Sequence, residues 1–388
     1  MQRRGADDPD PPAERREAYA ARAARAYAAM QDCFRMRRGR YRHDGLLRWP
    51  GTAAHLWPFS RALVAMLDLT GIGEGVGQRC DAAGAIAEHL DILERYWDSQ
   101  GPAPAYSSDV IGTRIGGDRY YDDNAWVGLA LVQLERLRPG AGRIERAREL
   151  FRFAVSGWDP RADVPSPGGV FWVEQGRGIG AKNHDRNTVS NAPNAELGLH
   201  LAELTGAPVH GPGSIGPEDM YEWVNASLDA SGGGDVAATG LFWDKRRGDD
   251  TLDEALWSYN QGSMVGANVL LHRAAGKRLP EYLFRAEAIA RKALRQYAGG
   301  GLERQPAAFN AIFFRNLLLL HEATGEAELR TQIIDAMRAY TDRAWSERRD
   351  RRDRFHFSRR RVTLLDQSAM VQLLALLAWD PLSYRKLA

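Results

Sequence analysis

The sequence predicts an all-α protein, one domain built from about six helical hairpins. Three observations carry this. Apolar side chains recur at three- and four-residue spacing through a series of stretches filled with Leu, Ala, Arg and Glu, all good helix formers. Strand-like alternation is scarce, and only 168–173 and 241–243 read as short extended pieces at loop tips. Four Leu-rich helical stretches end in a small residue and a glycine: LDLTG (67–71), LAELTG (201–206), LHRAAG (271–276) and LHEATG (320–325). A left-handed glycine after a helix C-terminus is the simplest cause.

In chain order the helical stretches are 14–38, 56–69, 80–97, 122–138, 143–155, 190–204, 217–228, 257–275, 281–297, 308–323, 326–345 and 363–379. Their spacing is too irregular for a short solenoid repeat. Long segments rich in Gly, Pro, Asp and aromatics separate them, at 98–119, 157–189, 206–216, 229–256 and 298–307. Loops of this length in a compact helical domain are functional or disordered. None reads as an interdomain linker. Residues 1–15 are polar and Pro-rich and read as a disordered tail, which leaves 16–388 as the domain.

Composition excludes several classes. With 388 residues, 44% of them apolar, a large core is available and neither disulfides nor a metal is needed to hold the fold. Lys and Arg number 52 against 50 Asp and Glu, so global charge gives no case for nucleic acid as a partner. The Arg-rich run Arg348 to Arg361 interleaves Asp350 and Asp353 and reads as a solvated, internally paired segment. Cys33 and Cys80 form no ligand or redox motif. No window is long and apolar enough to span a membrane. The opening MQRRGADDPDPPAERRE has no apolar stretch and is no secretory signal as written, so the expected location is cytoplasmic, or extracellular if translation starts elsewhere. There is no phosphate-binding loop, no HExxH and no GxSxG; the glycines at 71, 73, 75 and 77 have no strand before them. The nine His are scattered.

The best candidate for chemistry is Tyr120-Tyr121-Asp122-Asp123-Asn124-Ala125-Trp126, at the start of an apolar helix. One reading is capping, because Asp and Asn at a helix start accept hydrogen bonds from free backbone N–H groups. The other is a paired-carboxylate site for glycoside hydrolysis. Adjacent residues fit the roughly 5–5.5 Å separation of a retaining enzyme better than the wider inverting gap. Two close carboxylates also repel, so one stays protonated near neutral pH. The aromatic inventory suits carbohydrate. Trp numbers 11, and Trp49, Trp57, Trp97, Trp158, Trp172, Trp243 and Trp257 lie in or beside long loops, joined by Tyr106, Tyr120, Tyr121 and Tyr259. Ring faces next to Asp, Asn and Gln are what a neutral polyol needs.

Tyr121 to Trp126 resembles the catalytic signature of glycoside hydrolase family 76, the endo-α-1,6-mannanases. Further pieces follow in order: Gly168-Gly169-Val170-Phe171-Trp172, Lys182-Asn183, Ser190-Asn191-Ala192-Pro193, Gly240-Leu241-Phe242-Trp243-Asp244, Trp257-Ser258-Tyr259-Asn260-Gln261-Gly262, and Phe309 to Leu317. The resemblance spans roughly residues 50–380. It departs at Phe309-Asn310-Ala311, where the family has a cation and a glycine after the phenylalanine, which puts sugar contacts near residue 310 in doubt.

The resemblance implies an (α/α)6 barrel with a loop-lined cleft, acting on internal α-1,6-mannosidic bonds with retention. Asp122 would be the nucleophile and Asp123 the acid/base. Asn191, Asp244, Asn260 and Gln261 would bond sugar hydroxyls, and Tyr121 and Asn124, beside the pair, would also bind substrate. Trp126, Trp172, Trp243, Trp257 and Tyr259 would stack on sugar or wall the site. It implies an oligo- or polysaccharide partner and no metal or organic cofactor. Three other activities fit parts of the pattern: a transglycosylase on the same site, a non-catalytic carbohydrate-binding protein, and a helical-barrel sugar epimerase. The last depends on cleft histidines, for which the sequence has no corresponding cluster.

Overall fold

The computed structural model describes residues 13–45, 53–73, 82–101, 103–111, 117–231, 240–274, 279–358 and 361–388. Among them run twelve α-helices: α1 (Ala13–Phe34), α2 (Leu56–Gly71), α3 (Ala82–Leu93), α4 (Tyr121–Leu137), α5 (Ile144–Ser156), α6 (Thr188–Thr205), α7 (Pro217–Leu228), α8 (Ser258–Ala274), α9 (Pro280–Gln296), α10 (Ala307–Ala323), α11 (Ala327–Glu347) and α12 (Leu364–Ala378). They match the twelve periodic stretches closely; the largest differences are at the ends of α1 and α3, each four residues shorter than read, and after α3 residues 94–96 tighten into a 3₁₀ turn.

The even-numbered helices form the inner layer. Each is buried nearly all round, as in α8, where Ser258 to His272 are all buried, and α12, where Gln367 to Ala378 are. A helix apolar on every face must be enclosed on every face. α2 packs on α4, α4 on α6, α6 on α8, α8 on α10, α10 on α12, and α12 back on α2, which closes the ring. The odd-numbered helices are amphipathic and cover its outside. In α5, Leu150, Phe151, Phe153 and Ala154 face inward while Glu145 and Arg148 pair in solvent. The result is the expected (α/α)6 barrel in one domain.

Polar side chains tie the inner ring together. Asp68 on α2 accepts from Gln133 Nε2 on α4 at 2.7 Å and is ion-paired with Arg315 of α10. Arg315 also donates to Gln133, and Arg61 on α2 donates to Gln372 of α12. All five are buried.

A second device recurs at the helix starts. In five of the six inner helices the fourth residue is an amide that bonds the backbone of a loop. Asn124 accepts from the Tyr106 N–H at 2.8 Å and donates to the Tyr106 carbonyl at 3.0 Å. Asn191 does the same with Val170, at 2.7 and 3.2 Å. Gln261 does it with Phe242, at 2.8 and 2.9 Å. Asn310 donates to the Leu302 carbonyl, and Gln367 accepts from the Phe355 N–H. Only α2, with Phe59 in fourth place, lacks it. Asn191→Ala would leave the buried Val170 N–H unpaired, at about 1–3 kcal/mol, while the Val170 carbonyl keeps Ser190 Oγ at 2.8 Å. Urea unfolding is expected to show a loss in that range, and an unchanged midpoint would refute the clamp.

Two small antiparallel sheets position loops. β1 (Trp97–Asp98) pairs with β2 (Ala105–Tyr106) in the register Trp97↔Tyr106 and Asp98↔Ala105. β4 (Lys245–Arg246) lies between β3 (Arg186–Asn187) and β5 (Leu252–Asp253). Val170, Phe171, Val173 and Phe242 make isolated bridges, the short extended pieces read in 168–173 and 241–243.

The structure corrects two readings. α1 begins at Ala13, so 13–15 are helical rather than tail, and 1–12 lie outside the described residues. Of the four glycines read as left-handed helix stops, Gly206 has φ +68°. Gly71 instead ends α2, where a Cβ would lie 1.9 Å from the Trp379 ring, so close packing explains it. Gly325 has no positive φ, and Gly276 lies outside the described residues. In the Arg-rich run, Asp353 pairs with Arg349 and also with Arg25 of α1, and Asp350 with Arg354, so its carboxylates are paired, partly within the run and partly to α1; residues 359–360 are outside the description.

Candidate active site

The inner helices all start at one end of the barrel, and their first turns line one cavity of about 700 Å³. The wall takes Trp57 and Pro58 from α2, Asp122, Asp123 and Trp126 from α4, Val189 from α6, Tyr259 from α8, Phe309 from α10 and Leu365 from α12. These are second- or third-position residues in each helix, apart from Trp126. At about 100° per residue, the fourth position turns from the cleft toward the loops. One helical phase therefore places cavity residues and amide clamps side by side.

Asp122 and Asp123 sit at the second and third positions of α4. The N-cap is Tyr120, with no side-chain cap bond, so neither aspartate is the cap residue, although Asp122 takes up one free N–H of the first turn. The two carboxyls are not equivalent. Asp122 accepts from Trp172 Nε1 at 3.2 Å and from the Asp123 backbone N–H at 2.9 Å. Protein packed around the pair pushes both carboxyls well above the usual carboxylate range, and the charge of Asp122 raises Asp123 further. Hydrogen bonds to the charged form favour ionising Asp122, so the shared proton belongs on Asp123. The N-terminal dipole of α4 favours the same anion.

The rest of the wall is aromatic and hydroxyl-directed. Trp172 packs on Tyr120, with ring centroids 4.9 Å apart. Tyr259 stacks on Phe309 at 3.8 Å, with the rings nearly parallel. The Tyr259 phenol is pushed up by burial and by the charges of Asp244 and Asp122, so it stays a hydrogen-bond donor. Burial raises the Asp244 carboxyl to about 6, although Asn260 Nδ2 donates to it at 3.2 Å. The β3–β4–β5 sheet fixes Asp244 next to α6, since the Thr188 N–H donates to the Asp244 carbonyl at 2.9 Å. Lys245 lies on the wall and is paired with Asp185 at 2.8 Å.

The sequence-predicted residues divide cleanly. Asp122, Asp123, Trp126, Trp172, Asp244 and Tyr259 line the cavity. Asn260 reaches it only through Asp244. Asn124, Asn191 and Gln261 are corrected: both ends of each amide are spent on loop backbone, and all three are buried. Tyr121 is corrected as well, because it is buried behind the pair and stacked on Phe153 at 4.4 Å. Trp257 packs edge-on against Phe309, outside the wall, and Trp243 is also outside it. Asn310, the departure that put sugar contacts in doubt, is a clamp accepting from Ser258 Oγ at 2.9 Å and makes no part of the wall.

Several wall residues escaped the sequence reading. His43 and His55 both line the cavity, with rings 6.1 Å apart, and His55 Nδ1 is 2.7 Å from Asp109 Oδ1. Burial and His55 lower the His43 pKa. Twelve positions separate them in sequence, with no motif to join them. Val189, Phe309 and Leu365 could have been found from the helix-start phase. Among the described residues no group of three or more His, Cys, Asp or Glu is placed to hold a metal ion.

The family model for glycosyl hydrolase family 76 matches residues 18–377. The chain belongs to that family. It is a glycoside hydrolase. Solved structures share its fold at low identity. One is a family 76 glycoside hydrolase from a bovine Bacteroides thetaiotaomicron strain, 19% identical, with a TM-score of 0.77 over 93% of this chain and 77% of that one. A second is a family 76 α-mannanase from Bacteroides thetaiotaomicron, 16% identical, with a TM-score of 0.76 over 93% and 95%. A third is an α-1,6-mannanase from Salegentibacter sp. HEL1_6, 17% identical, with a TM-score of 0.69 over 93% and 99%; it is an inactive variant, with two adjacent aspartates changed to asparagine, in complex with α-1,6-mannotriose. Among curated proteins none matches this chain in sequence. No helix of the described residues of this family 76 enzyme is long and apolar enough to cross a membrane.

Proposed function

We propose that this glycoside hydrolase cleaves internal α-1,6-mannosidic bonds of mannan by double displacement, with retention. The observation that supports the mechanism is the asymmetry of the pair: Asp122 accepts from Trp172 Nε1 and from the Asp123 N–H, while burial and the Asp122 charge push the Asp123 carboxyl up toward its protonated form. Asp122 attacks the anomeric carbon, and the bond from that carbon to the leaving oxygen breaks. The Asp123 proton goes to the leaving oxygen. Water then attacks the same carbon, gives its proton to Asp123 and releases Asp122. Tyr259 and Asp244 present a donor and an acceptor to sugar hydroxyls, and Trp172 and Tyr120 supply ring faces. The substrate follows from likeness: the Salegentibacter enzyme, inactive with two adjacent aspartates changed, is in complex with α-1,6-mannotriose.

Incubation with linear α-1,6-mannan, followed by NMR of the anomeric protons, tests this. Oligomers appearing first as the α-anomer are expected. An initial β-product would overturn double displacement. No products from folded protein would overturn the choice of mannan.

A further inference from the structure

Trp172 opens a loop that returns to the barrel at β3, and Ile179 stands at its tip. Ile179 lines the cavity that holds the carboxyl pair, and its side chain is 100% exposed. A lone exposed apolar residue on a surface is ordinary. The loop that carries this one is tied down by hydrogen bonds and ion pairs on both sides of it. At the base of the loop Glu174 is ion-paired with buried Arg119, and the Glu174 N–H donates to the Arg119 carbonyl at 3.0 Å. Within the loop, Gln175 Nε2 donates to the carbonyls of Val173 and Asn183 at 2.7 and 2.6 Å. The Gly176 N–H donates to the Ala181 carbonyl at 3.1 Å. Arg177 is paired with Asp98 across the gap.

The residues flanking Ile179 are fixed most tightly. Gly178 has φ +68°, and a Cβ there would lie 1.7 Å from Asp118 Oδ1. The Gly180 N–H donates to that same oxygen at 3.1 Å. The other oxygen of Asp118 accepts from the Tyr120 hydroxyl at 3.4 Å. Asp118 thus ties Gly180 to the aromatic wall beside the carboxyl pair and packs closely against Gly178. The fold forgoes the burial of a β-branched side chain and spends several hydrogen bonds to hold it in water, at the cleft.

We propose that Ile179 is a specificity-determining contact, laid against the C–H-rich face of a sugar unit bound beyond the carboxyl pair. Burial of the isoleucine and of that face on binding supplies the hydrophobic stabilisation that the free protein lacks. The contact is to the ring's apolar face, so it selects for chain length and for an unsubstituted face, and it leaves the bond-breaking step alone. This rests on the glycan-cleaving reading of the same cleft.

The test compares wild type, Ile179→Ser and Ile179→Leu on linear α-1,6-mannan. Ile179→Ser is expected to raise KM about tenfold, the scale of one lost apolar contact in a pocket, with kcat and Tm unchanged. Ile179→Leu should restore the wild-type KM. An unchanged KM in Ile179→Ser would overturn the contact while leaving the mannanase reading intact. Electrophoresis in native gels containing mannan gives a second readout, made in the Asp122→Asn background. Retardation that disappears with Ile179→Ser supports the contact. Equal retardation overturns it. A wild type that neither cleaves mannan nor is retarded by it overturns the substrate reading and the contact together.

Discussion

Asp122→Asn and Asp123→Asn are expected to remove turnover by about 10⁴-fold or more, as replacing one member of a catalytic unit does. They are also expected to raise thermal stability at neutral and higher pH. In the unfolded chain each carboxyl titrates near its ordinary value of about 3.9. In the folded protein burial holds both well above that, Asp122 at about 7. Between those values the native state binds more protons than the unfolded state, so stability falls as pH rises through the window and stays lower above it. An asparagine has no carboxyl to ionise. The gain in Tm over wild type should therefore be clear at pH 8 and vanish near pH 4. Calorimetry at the two pH values, beside mannan hydrolysis, reads both effects. Retained activity would sink the assignment of the pair. A lower Tm at pH 8 would mean that the carboxyls serve the helix start after all.

Arg315→Met should be the most damaging change away from the cleft. It leaves Asp68 buried with its ion partner gone and leaves the Gln133 oxygen with only the long 3.5 Å bond from the Ala388 N–H. Breaking one side of a buried pair costs about 3–5 kcal/mol. Asp68→Leu should lose a similar amount by stranding the guanidinium. The double variant Asp68→Leu, Arg315→Met should lose much less than the sum, because neither charge is then left alone. Urea unfolding of the four proteins closes the cycle. Additive losses would show that the two side chains contribute separately and that the pair does not join α2 to α10.

The helices were legible because Leu-rich periodicity survives without knowledge of partners. Closure of the ring was not, since it depends on contacts such as Arg61 to Gln372, 311 positions apart. At the site, Asp122, Asp123 and Trp172 were legible through their motif neighbours. Asn124, Asn191 and Gln261 sit in the same motifs and were read as sugar ligands for that reason. Their position in the helix turn decides otherwise: the second and third residues see the cleft, and the fourth sees a loop backbone. Asn310 shows the same limit from the other side. Its departure from the family pattern suggested an altered subsite, yet it occupies the clamp position. His43 and His55 needed folded coordinates, because nothing local brings them together.

Apart from Asn310, which also accepts from Ser258 Oγ, the amide clamps hold their loop segments by main-chain N–H and C=O groups, so they are blind to the side chains of those segments. A cleft segment can change its sequence almost entirely and still dock at the same socket on its helix. That separates two demands usually in conflict, a constant barrel and a variable binding surface, and it suits a fold kept by the solved structures at 16–19% identity. For protein engineering, the segment carrying Ile179 and those around Tyr106 and Phe242 are natural cassettes. They can be exchanged between relatives to change which glycan is held, while the inner helices and their carboxyl pair stay as they are.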